Sequence, residues 1–121
     1  MSTELLVVCT CGLDDPNRAS LAFLTAKGAK ENKDNATIFL ANEGVIFAKK
    51  GIAEQETIQG VGLAPFSDVF EICQILKIPI LVCKPCAEAR GIKEDDLASG
   101  CKFSGIYDMA KLAVKMNTIS F

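Results

Sequence analysis

The chain has 121 residues with 13 basic and 15 acidic side chains, and it contains neither histidine nor tryptophan. A net charge of -2 argues against a nucleic-acid binder that relies on phosphate contacts, and 50% apolar residues exclude a disordered chain. The absence of histidine removes Ser-His and Cys-His dyads and every His-ligated metal site, so six cysteines carry most of the remaining reactive chemistry.

The length predicts one domain over residues 1–121. The apolar run Leu5 to Cys9 predicts a buried, parallel strand covered on both faces. Thr10 to Asp14 reads as a loop. Asp15 before Pro16 is a helix start, with a helix expected over Asn17 to about Glu31. Its apolar residues cover more than one face, which implies deep packing or contact with another subunit.

Ala36 to Ala41 predicts the second strand, ended by Asn42-Glu43-Gly44. Val45 to Lys50 reads as a short helix and Ile52 to Ala64 as a loop. Ser67 is the expected cap of a helix carrying Val69, Ile72, Cys73 and Leu76 in one stripe. Ile80 to Cys83 predicts the third strand, followed by a helical turn from Cys86 to Arg90 closed by Gly91. Lys102-Phe103 reads as a weak fourth strand. Ser104 is the expected cap of a last helix with Ile106, Met109, Ala110 and Ala113 on one face. Thr118 to Phe121 reads as an edge strand. The alternation of strands and helices predicts right-handed crossovers and a parallel sheet between helix layers. Reactive groups in such sheets gather at the carboxyl edge, where Cys9, Cys11, Cys83 and the Asn42-Glu43-Gly44 turn all fall.

Cys83-Lys84-Pro85-Cys86 is the sharpest motif. A cysteine leaving a strand and facing a helix start, with Lys84 adjacent and Arg90 a turn or two further on, is expected to be held as a thiolate. A thiolate attacks sulfur donors and disulfides. Cys86 can resolve a bond on Cys83 or simply pack. Cys9 and Cys73 read as core thiols. Cys11 lies in a loop that approaches Cys83 if their strands are neighbours, and Cys101 lies near a strand start. Glu43 is a candidate polar wall of the site. Lys49, Lys50 and the run Glu94-Asp95-Asp96 read as solvated charges. The turn from Thr10 to Asp15 holds a single glycine and is no phosphate loop. Metal on the cysteines is the weaker alternative, because CxC and CxxC pairs make no standard four-ligand run. No resident cofactor is expected.

The segment Ile80 to Ile92, a strand ending in Cys83 and leading to Arg90-Gly91, resembles the cysteine segment of the DsrE/DsrF-like sulfur-relay family. The opening apolar strand with Gly12-Leu13-Asp14-Asp15, the stretch Phe39 to Val45 with Glu43-Gly44-Val45, and Leu97 with the Gly100 turn are similar to family elements. The resemblance spans nearly the whole chain. It implies an α/β fold, a three-layer α/β/α sandwich with a mostly parallel five-stranded sheet, assembled as a ring-like homo-oligomer, a trimer or hexamer. It also implies that Cys83 carries sulfur as a persulfide between donor and acceptor proteins. Cys11 and Cys86 are not required by that pattern and suggest a resolving or metal-binding variant.

The leading functional expectation is therefore a sulfur-relay protein acting through Cys83, with Lys84, Arg90 and backbone N–H groups stabilising the terminal sulfur. The alternatives are a thiol–disulfide oxidoreductase using Cys83 and Cys86, a cysteine-based metal-binding or ligand-sensing oligomer, and a scaffold with inert thiols. No apolar run approaches the roughly 18 residues of a membrane span. Glu4 and the lack of a basic cluster before the first apolar run predict no secretory leader and a cytoplasmic protein.

Overall fold

A computed structural model describes residues 3–121. Strand β1 (Glu4–Cys9) pairs in parallel with β2 (Asn35–Leu40), with Val7 opposite Ile38 and Cys9 opposite Leu40. β3 (Ile80–Cys83) adds beside β2, and β4 (Cys101–Ser104) adds beside β3. The last strand, β5 (Asn117–Ser120), returns to pair with β1 at the opposite edge. The order is β4-β3-β2-β1-β5, and every pairing is parallel.

The unbroken apolar runs explain this placement. Leu6, Val7, Cys9, Ile38, Phe39 and Leu40 are all fully buried, so β1 and β2 need cover on both faces. The chain steps from β1 to β4 in one direction and then crosses the whole sheet to reach β5. Right-handed crossovers therefore place α1 (Pro16–Glu31) and α2 (Phe66–Ile75) on one face and α4 (Ile106–Lys115) on the other. The result is the expected three-layer sandwich.

Helix α1 begins as its sequence dictates. The Asp15 carboxylate accepts the Arg18 N–H at 3.1 Å, and Pro16 occupies the first turn. Ala19, Ala22 and Ala26 let the helix sit close to the sheet, and Phe23 enters the core between them. Its ring meets Phe66 edge-on at 5.0 Å and Phe70 at 5.6 Å, while Phe47 stacks obliquely on Phe66 at 4.3 Å. This aromatic cluster joins α1, α2 and the 3₁₀ segment Asn42–Ala48. Deep packing accounts for most of the apolar excess on α1, although Leu21 remains 42% exposed.

Several boundaries differ from the sequence reading. β2 starts at Asn35, one residue early. The helical segment after it starts at Asn42 and is 3₁₀, because Asn42 adopts a left-handed conformation (φ 51°) and Gly44 N–H closes a tight turn onto the Ala41 carbonyl. α2 starts at Phe66 behind Pro65, so Ser67 lies in the first turn and is not the cap. The Asp68 and Val69 N–H groups are already taken by the Pro65 carbonyl at 3.1 and 3.4 Å, so the helix starts ahead of Ser67 and Val69 N–H is not left for its side chain. The last helix is capped by Gly105, not Ser104. Ser104 belongs to β4, and its hydroxyl donates to Asp108 at 3.3 Å. β5 starts at Asn117, and Phe121 prolongs its ladder by donating to the Val8 carbonyl and accepting from Thr10 N–H.

Candidate functional site

The site lies at the carboxyl edge of the sheet, where β3 ends in Cys83. The helix after it, α3 (Lys84–Glu88), starts two residues earlier than the Cys86 start read from sequence. Pro85 sets its first turn and Gly91, at φ 74°, ends it. Cys83 is thus the residue at which strand turns into helix. It is only 1% exposed, and its sulfur faces both the backbone N–H and the thiol of Cys86.

Arg90 closes the site from above. Its Nη2 donates to Glu43 Oε1 at 2.7 Å and to Asn42 Oδ1 at 3.1 Å, and its Nε donates to the same Glu43 oxygen at 3.1 Å. Its Nη1 donates to the Cys86 carbonyl at 3.0 Å. One guanidinium therefore ties the turn after β2 to the helix after β3. The Glu43 hydrogen bond pushes the Arg90 pKa up, so the charge is permanent.

Two glycines fix the Glu43 turn. A Cβ at Gly12 would collide with the Glu43 carbonyl oxygen, and a Cβ at Gly44 would collide with the Cys9 carbonyl oxygen. The loop after β1 and the turn after β2 thus touch backbone to backbone.

The electrostatics correct one expectation. Cations and a helix start were expected to lower the Cys83 pKa. The thiol is instead raised above its ordinary value, chiefly by burial and next by the hydrogen bond with the Cys86 thiol. The Cys86 N–H and the Arg90 charge act in the opposite direction without prevailing. Lys84 is exposed and is not among the charges acting on this thiol.

The remaining cysteines do not join Cys83. Cys9 is fully buried, donates to the Cys11 carbonyl at 3.3 Å, and is pushed up to about 12 by burial. Cys73 donates to the Phe23 carbonyl at 3.5 Å and Cys101 lies in β4; burial pushes both up to about 12. Cys11 is half-buried against the Gly44 contact, and it follows β1, which β2 separates from β3, so the strands of Cys11 and Cys83 are not neighbours. Among the described residues, no group of three or more Cys, Asp or Glu is placed to hold a metal ion. Of the residues singled out in the sequence, the fold brings together Cys83, Cys86, Arg90 and Glu43, and not Cys11 or Lys84. The sequence reading missed Asn42, whose position before Glu43 in a turn was the available signal, and the close-approach role of Gly12 and Gly44.

A parallel α/β sandwich with a buried strand-end cysteine, a neighbouring thiol and a pinned arginine at its carboxyl edge defines a small cysteine-site protein. The chain belongs to the DsrE/DsrF-like family, which it matches over residues 4–121. It is 26% identical over 104 residues to an uncharacterized protein of Methanopyrus kandleri, covering 86% of this chain and 81% of that one. It is 36% identical over 72 residues to an uncharacterized protein of Methanocaldococcus jannaschii, covering 60% and 58%. Among solved structures, the ychN protein from E. coli superposes with a TM-score of 0.75 at 20% identity, covering 100% of both chains. A protein of unknown function from Methanobacterium thermoautotrophicum gives 0.70 at 14% identity, again covering 100% of both. At these identities the two structures establish the fold. Among the described residues, no helix is long and apolar enough to cross a membrane.

Proposed function

We propose that this protein is a sulfur carrier that accepts sulfane sulfur on Cys83 and passes it to a partner thiol. The observation that carries this reading is the placement of Cys83: a buried strand-end sulfur that meets one N–H, one neighbouring thiol and the field of one fixed guanidinium. The Cys83 thiol loses its proton to solvent and the thiolate attacks a terminal sulfur of a polysulfide or protein persulfide. A Cys83–sulfur bond forms, the donor S–S bond breaks, and the donor leaves one sulfur shorter. The acquired sulfur sits about 2 Å beyond Cys83 Sγ, and the reading requires it to face the surface where a partner docks. A partner thiolate then attacks that outer sulfur and Cys83 leaves as thiolate.

Donor and acceptor proteins, a cytoplasmic setting and assembly into a trimer or hexamer belong to the same reading. Exposed Leu21, Ile106, Tyr107 and Val114 support contact with further copies. The contact between the Cys83 and Cys86 thiols favours a second reading, a thiol–disulfide oxidoreductase.

The test is intact mass after brief anaerobic exposure of reduced protein to polysulfide, with peptide mapping. One added sulfur on Cys83, removable by a thiol and absent in Cys83→Ser, is the expected result. Equal sulfur uptake by Cys83→Ser sinks the assignment.

A further inference from the structure

The persulfide has two sulfur atoms, and burial gives them different neighbours. The outer sulfur is the one an approaching partner meets. The inner sulfur, Cys83 Sγ, belongs to a residue 1% exposed, and once the outer sulfur is attached, attack on it must come from the side opposite that sulfur, where a second protein has no approach. Cys86 is already beside it: it lies in the first turn of α3, which begins directly after Cys83, and its thiol and N–H are the groups that act on the Cys83 sulfur from that turn. Cys9 and Cys73 are bonded elsewhere in the core, and neither they nor Cys101 or Cys11 acts on Cys83.

We infer that Cys86 is a resolving thiol that attacks the inner sulfur of a Cys83 persulfide and expels hydrosulfide, so that the protein reduces sulfane sulfur as well as carrying it. The inference rests on the carrier reading, because it needs the persulfide. Cys86 gives up its proton, a Cys83–Cys86 bond forms, and the bond between Cys83 Sγ and the outer sulfur breaks. That outer sulfur departs as hydrosulfide with the bonding electron pair. Two thiols supply two electrons to one sulfane sulfur, and the ring closes over Cys83-Lys84-Pro85-Cys86. A protein or low-molecular-weight dithiol returns the disulfide to two thiols by exchange.

The structure also separates the two fates. Attack on the outer sulfur by a partner conserves sulfane sulfur. Attack on the inner sulfur by Cys86 discharges it when no partner is docked. Arg90 bridges both arms, since it holds the Cys86 carbonyl while its charge acts on Cys83. A serine at position 86 removes the nucleophile and keeps the backbone carbonyl that Arg90 holds.

The experiment compares wild type, Cys86→Ser and Cys83→Ser under anaerobic conditions. Each is exposed briefly to polysulfide, freed of it by rapid gel filtration, and followed by intact mass, peptide mapping and sulfide assay. In wild type the added sulfur on Cys83 is expected to appear first and then to give way to a product two hydrogens lighter than the reduced protein, with Cys83 joined to Cys86 and with hydrosulfide released. The Cys86→Ser protein is expected to keep one extra sulfur on Cys83, with a persulfide lifetime longer by at least about tenfold, as expected for loss of an intramolecular nucleophile. A Cys86→Ala variant behaves the same way and guards against a folding defect specific to serine. A wild-type persulfide as long-lived as that of both variants overturns the inference and leaves the carrier reading standing. Absence of sulfur on Cys83 in every protein, with no Cys83–Cys86 bond in wild type, defeats both.

Discussion

Arg90 Nη2 lies 2.7 Å from Glu43 Oε1, while Nη1 of the same guanidinium donates to the Cys86 carbonyl. The pair joins segments 47 positions apart and sets one positive charge near the two thiols of the CxxC motif. The side chains are 28% and 49% exposed, so water screens the pair and its contribution to stability is small. Its weight lies in positioning.

The Arg90 charge lowers the Cys83 pKa against the larger effect of burial. Arg90→Ala is therefore expected to raise that pKa further and slow Cys83 alkylation by iodoacetamide at neutral pH by about threefold, because less of the thiol is then thiolate. Arg90→Lys keeps the charge but not the fork, and should retain most of the rate. An unchanged rate in Arg90→Ala would leave the residue a purely structural tie.

Burial should also be visible in the pH profile of the same reaction. A thiol held above its ordinary value stays mostly protonated at neutral pH, so its alkylation rate should climb with pH and show no plateau below about pH 9. Peptide mapping isolates Cys83 from the other thiols. A plateau near pH 7 would mean that the strand-end environment stabilises the thiolate after all.

Elements built from local pattern were legible in the sequence. Leu5 to Cys9 and Ile80 to Cys83 are unbroken apolar runs, and Asp15-Pro16 is a local start signal, so their strands and helix follow from neighbouring residues. Ser67 and Ser104 read as caps but are not. The Pro65 carbonyl takes the Asp68 and Val69 N–H groups and starts α2 ahead of Ser67, and pairing with the distant Cys83 draws Ser104 into β4. The site divides in the same way. Cys83 and Cys86 are close in sequence and stayed together, whereas the coupling of Arg90 to Asn42 needs the fold. The sign of the Cys83 shift was misread because charge is visible in a sequence and desolvation is not.

Three glycines provide a test of the backbone contact beneath Glu43. A Cβ at Gly44 meets the Cys9 carbonyl and one at Gly12 meets the Glu43 carbonyl, and in both cases backbone must move. Gly44→Ala and Gly12→Ala should each cost about 2–4 kcal/mol in urea unfolding. Gly28, inside α1, has nothing within 4 Å of its Cβ position. Gly28→Ala should stabilise by about 0.5–1 kcal/mol through helix propensity. Equal effects at Gly28 and Gly44 would refute the close approach.

Ser20 offers a change in the opposite direction within the core. Its hydroxyl is fully buried on α1 and finds no hydrogen-bond partner among the described residues. An unpaired buried hydroxyl costs about 1–3 kcal/mol, and alanine is the better helix former. Ser20→Ala should therefore raise the urea midpoint, with a gain of about 1 kcal/mol and an unchanged slope. A loss of stability would show that the hydroxyl is satisfied in solution.

The buried thiols predict how stability depends on pH. Cys9 and Cys73 are pushed up to about 12 by burial, well above an unfolded cysteine near 8.5. Between those values the unfolded chain has released protons that the native chain still holds. Stability is therefore complete below about pH 8.5 and falls as pH rises toward the folded pKa. At pH 10 each of the two thiols should account for a loss of about 1–2 kcal/mol. Cys73→Ala lowers stability at every pH by opening a small cavity, but it removes one of the titrating groups. The difference in unfolding free energy between about pH 7.5 and about pH 10 should accordingly be smaller in Cys73→Ala than in wild type by about 1–2 kcal/mol. The same difference in both proteins would mean that Cys73 ionises in the native state as readily as in the unfolded chain.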